Sequence, residues 1–237
     1  MTVRFTVRFS QPGDLRLSVV RGRLRGVAGG GPTRVVLERG RRWVFATAVD
    51  WPGWCRRAKG DDTAALEALT AYEERYRAVV PTLPVGAGDR VEVVEVLTGG
   101  ATTDFGAPEA RGAIDAEPLP AAERARLLEA FARCWPAFDA VVAAAPAELR
   151  KGPRGGGRDR DAVVDHVREA ERSYGRAVGV RVPPRTPWPE QRALLLGGLR
   201  GMPEAGTTAK GWSVRYLVRR GAWHVLDHAW EIEDRSG

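Results

Sequence analysis

The chain has 237 residues, 43% of them apolar and eight of them tryptophan, which suffices for one large domain or two small ones with real cores. No apolar run approaches the roughly 18 residues of a membrane span, and Arg4, Arg8 and Arg16 interrupt any apolar leader, so the expected location is cytoplasmic. The net charge of +7 is concentrated in residues 1–42, where ten arginines face only Asp14 and Glu38, while the remaining 195 residues carry −1. A basic terminal segment is not a basic folded face, which argues against nucleic acid as the partner.

The two cysteines, Cys55 and Cys134, are far apart and form no Cys-x-x-Cys pair, so two free thiols in a reducing compartment are expected. Cys134 falls in an apolar helical stripe, which suits burial better than nucleophilic work. Arginine outnumbers lysine 34 to 3, and Ala, Gly and Pro abound, the codon bias of a GC-rich genome such as an actinobacterial one.

In chain order, residues 1–32 form a basic N-terminal extension with a weak alternation (Val3, Phe5, Val7, Phe9) compatible with a short strand or hairpin. Residues 33–38 and 43–49 read as strands rich in β-branched and aromatic side chains. Trp51-Pro52-Gly53 is a turn signal, and 54–58 can form a third strand. A helix capped by Asp61 or Asp62 follows, with Leu66, Leu69, Tyr72, Tyr76 and Val79–Val80 at helical spacing. Gly86-Ala87-Gly88-Asp89 turns into a last strand over 91–97. Residues 98–118 have no period and read as a linker, with Phe105 and Ile114 available for packing.

From residue 119 the pattern is helical. A first helix over about 120–145 carries Leu127, Leu128, Phe131, Trp135, Phe138 and Val142 on one stripe, with Pro136 as an expected kink. A loop over 151–157 precedes a second helix, opened by Asp159 or Asp161, whose face holds Val163, His166, Val167, Ala170, Tyr174 and Ala177. The proline-rich stretch 179–187 is extended. A third helix over about 189–201 carries Leu194, Leu195 and Leu199. A fourth over about 211–234 lines up Val214, Leu217, Val218, Gly221, His224, Val225, His228 and Ile232. The fold class expected is α+β: a β-β-β-α-β domain at 33–97, then an all-α four-helix bundle at 119–237.

The chain has only three histidines. His224 and His228 are four residues apart and stack on one helix face, and His166 lies within the apolar stripe of another helix. Imidazoles directed into a core are costly unless each finds a partner, and one shared metal ion satisfies all three while leaving a fourth tetrahedral position open. Neutral imidazole is required, so affinity should fall below pH of about 6.5. Asp165, Glu169, Asp227 and Glu231 are near enough in sequence to orient the ligands, Glu231 best of all. Tyr174, Arg219 and Arg220 are available to touch a substrate. Gly221, one turn before His224, either leaves room for a ligand or permits a close helix contact.

Two resemblances follow from these motifs. The Asp50-Trp51-Pro52-Gly53-Trp54 turn and the Gly60-Asp61-Asp62-Thr63-Ala64-Ala65-Leu66 helix start resemble the HicB-type antitoxin domain over residues 33–97, with Leu66 where that family has Ala. No DNA-binding tail of the antitoxin type follows. The lone His166 and the closing Trp223-His224-x-x-x-His228-x-Trp230-Glu231-Ile232-Glu233-Asp234 resemble the DinB/YfiT-like four-helix-bundle metal proteins over about 119–235. That resemblance implies a divalent ion, zinc or nickel, on His166, His224 and His228. It also implies a thiol-dependent S-transferase, isomerase or related hydrolase acting on a small-molecule thiol and an electrophilic substrate. Relatives use bacillithiol, mycothiol or glutathione, and a GC-rich actinobacterial host makes mycothiol the thiol to consider. A homodimer is compatible with this reading. The alternative is a non-catalytic, regulatory metal-binding protein whose HicB-like domain docks a partner.

Overall fold

The computed structural model describes residues 31–152, 157–204 and 211–237, together with the strand backbones at 5–9 and 15–19. Val3, the glycines at 29–30 and part of the 151–157 loop lie outside the described residues. The chain is α+β and divides into two compact units between Asp115 and Ala116. Among the described residues no helix is long and apolar enough to cross a membrane.

The first unit is built on a mixed sheet. Strands β1 (Phe5–Phe9) and β2 (Leu15–Val19) pair with each other, and β1 pairs with β6 (Arg90–Thr98). Strands β3 (Thr33–Arg39), β4 (Val44–Ala48) and β5 (Cys55–Ala58) complete the order β2-β1-β6-β3-β4-β5. Among the described residues only β3 and β6 run parallel. The turn between β4 and β5 closes through Trp54 N–H to the Trp51 carbonyl at 3.0 Å, with Gly53 at φ 96°, a conformation that glycine adopts without strain. Trp54 is wholly buried; its indole N–H donates to the Leu69 carbonyl at 2.8 Å and its ring stacks on Tyr76.

The helix expected after Asp61 is two helices, α1 (Asp62–Thr70) and α2 (Glu73–Val79). Asp61 caps α1 by accepting from Ala64 N–H. The break at Ala71–Tyr72 lets Tyr72 sit under the Arg56 guanidinium, 3.7 Å from its ring centroid, while Tyr76 buries its ring and donates to the Pro52 carbonyl.

Residues 98–118, read as a linker, contain α3 (Ala101–Phe105) and α4 (Ala113–Ala116), and the first unit extends through Asp115. The buried Glu38 carboxylate of β3 accepts from the Thr103 hydroxyl and from the Glu109 and Ala110 N–H groups. Glu95 of β6 accepts from Ala113 and Ile114 N–H. Ile114 packs with Val36, Val49 and Val94, whereas Phe105 is 91% exposed.

The second unit holds α5 (Ala121–Ala144), α6 (Arg160–Ala177), α7 (Trp188–Arg200) and α8 (Val214–Ser236). Helix α8 packs on α5 and α6, and α7 packs on those same two helices, which closes a ring of four. Helix α5 continues through Pro136, held by the buried Phe131, Trp135 and Phe138 around it, although the proline removes one backbone donor. Gly221 is a close-contact position: an added Cβ would lie 3.1 Å from the Phe131 ring, so the space belongs to α5 rather than to a ligand. On α7, Leu195 and Leu199 are buried and Leu194 is largely exposed.

Helix α6 has a second buried face beyond the expected one. Glu171 accepts from the Trp188 indole at 2.6 Å and lies 3.5 Å from Arg192, which is itself bonded to Asp139 and lies over the Trp188 ring.

Because Glu38 holds three donors of the 98–115 segment, Glu38→Gln should destabilise the protein by about 1–3 kcal/mol, read as a lower urea midpoint. It should also speed proteolytic cleavage within 99–112. An unchanged midpoint and cleavage rate would refute the anchoring role.

Candidate metal centre

Helical spacing does the first part of the assembly. On α8, His224 and His228 bring their ring centroids to 4.6 Å, and α6 supplies His166 at 4.9 and 5.0 Å from them. One nitrogen from each of the three imidazoles lies within 4.8 Å of the others. His224 Nε2 is 3.1 Å from His166 Nε2. Three nitrogens on one tetrahedral zinc stand about 3.3 Å apart, so this pair is already near ligand spacing, and the third nitrogen lies within 4.8 Å of both. His224 is 6% exposed; His166 and His228 are half-buried, so the cluster opens outward on their side.

The polar surroundings suit a cation ligand set. His228 Nδ1 bonds Glu231 Oε2 at 2.8 Å, a carboxylate contact that orients the ring and leaves Nε2 as the nitrogen available to an ion. Glu231 is held in turn by Arg235 at 2.8 Å, and Arg235 also donates to the Arg150 and Arg158 carbonyls. The hydrogen bond from His228 is the largest influence holding the Glu231 carboxyl below its usual range; burial opposes it and Arg235 reinforces it. Burial, then the His228 imidazole, pushes His224 well below the ordinary histidine value, with His166, Arg220 and Arg158 adding to the effect. For His166 burial again leads, followed by His228 and Arg158, against Glu231. Both rings are therefore neutral at neutral pH, the form a metal requires. His224 Nδ1 is buried with no hydrogen-bond partner among the described residues.

Of the four carboxylates singled out in the sequence, Glu231 bonds a histidine, His228. Asp165 and Glu169 are exposed, and Glu169 faces Arg172 instead. Asp227 is half-buried. Tyr174 stands edge-on to His224 with centroids 5.7 Å apart. Arg219 lies over Tyr216 and Arg220 over Trp223, so both pack on rings of their own helix. Cys55 and Cys134 are buried free thiols, and burial pushes the Cys134 thiol far up, which removes it as a nucleophile.

Sequence spacing did not mark Trp212, Arg158 or Arg235. Trp212 packs against Tyr174 at 5.4 Å and Tyr216 at 4.7 Å, forming an aromatic wall beside His224. Arg235 is four residues past Glu231 on α8, a spacing that could have marked it, whereas its hydrogen bond to the Arg158 carbonyl joins residues 77 apart, a separation no local motif carries.

A histidine whose folded pKa lies below its unfolded one adds stability above the unfolded value of 6.5, and that contribution is lost as pH falls toward the folded value, because the unfolded chain takes up protons that the fold refuses. With metal removed by chelation, the urea midpoint is expected to drop between pH 7.5 and pH 5.5, and His224→Gln is expected to flatten that drop. An equal slope in the variant would contradict the burial of a neutral imidazole.

Comparison with protein-family models, with curated proteins and with solved structures finds no match for this chain. The functional reading therefore rests on the geometry of the three histidines and on the sequence motifs around them.

Proposed function

We propose that the second unit is a DinB/YfiT-like bundle that binds a divalent ion, zinc or nickel, through His166, His224 and His228. On this reading the site serves a metal-dependent thiol S-transferase or a related hydrolase, and the first unit is a HicB-like domain. The observation that carries the metal reading is the convergence of three imidazoles from two helices within 4.8 Å, one of them almost wholly buried. The donor set fits: two rings are held neutral by burial, and the third is oriented by a carboxylate.

An ion held by three imidazoles supplies Lewis acidity that favours thiolate over thiol, or hydroxide over water, at neutral pH. The chain's own residues supply the rest. Glu231 orients His228 and is itself locked by Arg235. Arg158 and Arg220 add positive potential that keeps His224 unprotonated and favours an anionic partner near the cluster. Tyr174 and Trp212 offer an apolar wall against which an electrophile can lie. The thiol to test first is mycothiol, on the strength of the arginine-rich composition.

Purified protein is expected to carry about one zinc or nickel per chain by elemental analysis, and His166→Ala and His224→Ala are each expected to lose it. Glu231→Gln is expected to weaken the metal affinity about 10–100-fold while the fold stays intact. Unchanged metal content in the histidine variants would sink the site. A loaded protein that conjugates no electrophile with any small thiol would leave a metal-binding protein and refute the transferase.

A further inference from the structure

A second polar feature of the helical unit shares no residue with the histidine cluster. Beyond α6 the chain reverses at Gly179, whose φ is 89°, and Val180 N–H bonds the Gly175 carbonyl at 2.9 Å. Val180 is wedged between α6 and α7 at two glycines: a Cβ on Gly198 would lie 2.4 Å from Val180 Cγ2, and one on Gly175 would lie 3.2 Å from its carbonyl oxygen. The following loop is clamped to α6. Arg172 donates to the Pro183 carbonyl at 3.1 Å, and Arg168 donates to the Thr186 carbonyl at 2.9 Å. The Thr186 hydroxyl closes the turn onto Pro183.

Between this rigid loop and the end of α6 lies a groove of about 450 Å³, lined by Arg172, Arg176, Arg181, Val182 and Pro184 beside Gly179. Arg172 and Arg176 are one helical turn apart. Arg172 meets a carboxylate, Glu169, only at 3.7 Å, and its buried Nε makes no hydrogen bond. Arg176 and Arg181 are exposed and form no ion pair among the described residues. Three arginines thus line one concavity, and among the described residues only Arg172 has a carboxylate near it, Glu169 at 3.7 Å. Arginine forks match phosphate oxygens geometrically, and the apolar Val182 and Pro184 suit the organic part of a ligand.

We propose that this groove is a binding site for a small phosphorylated anion. The proposal is independent of the metal reading. Calorimetric titration of the full chain with pyrophosphate at low ionic strength should give saturable binding that weakens as salt is added. The double variant Arg176→Ser/Arg181→Ser should weaken it by at least roughly tenfold, as expected for the loss of charge-assisted hydrogen bonds, with an unchanged melting temperature. Arg133→Ser on α5 and His224→Ala should both leave the affinity unchanged, the latter separating the groove from the histidine cluster. Absence of saturable binding, equal binding in the double variant, an affinity that follows His224, or citrate binding more tightly than pyrophosphate would each overturn the proposal.

Discussion

Helix α8 is buried along most of its length, so a polar side chain on its inner face is costly unless it finds a partner inside the helical unit. Arg215, almost wholly buried, meets Glu123 of α5 at 2.7 Å. Arg219 lies over Tyr216. Gly221 yields its space to Phe131. Among the described residues His224 has no carboxylate or carbonyl hydrogen-bonded to its ring and meets His166 instead. That contact joins α6 to α8 through the candidate centre and leaves Nδ1 of the same ring without a partner among the described residues. His228 lies one turn on, where the surface begins, and there a carboxylate and an arginine become affordable partners.

Two kinds of polar burial therefore coexist in this unit. The α6–α7 contact is closed by Glu171, Trp188 and Arg192, a charge-paired cluster whose members satisfy one another in part. The α6–α8 contact is closed by three bases with no acid between His166 and His224. Neutral imidazoles side by side can share one proton in a hydrogen bond, but a cation among them uses all three lone pairs at once. That difference is why the second contact, and not the first, reads as a place for chemistry.

Much of this was legible in the sequence because it is periodic. The apolar stripe of α8 set His224 and His228 on one face, and the stripe of α6 set His166 inward. The strands β3, β4 and β6 announced themselves by β-branched runs. What was not legible depended on contacts without a period. Glu38 is a lone acid on a strand, and its partners are backbone N–H groups of a segment with no pattern of its own, so 98–118 read as a linker. The break between α1 and α2 preserves the helical spacing of Leu69, Tyr72 and Tyr76 and leaves no mark on it. Gly221 offered two meanings until Phe131 was placed opposite it. Glu171 carries no sequence signal because its partner, Trp188, lies on another helix.

The central claim is that His166, His224 and His228 share one metal ion. X-ray absorption at the metal edge of the reconstituted protein tests it most directly. The expected spectrum has imidazole nitrogens at about 2.0–2.1 Å with multiple-scattering features for three rings and no sulfur neighbour. A sulfur shell near about 2.3 Å, or a spectrum unchanged by loss of His166, would contradict it.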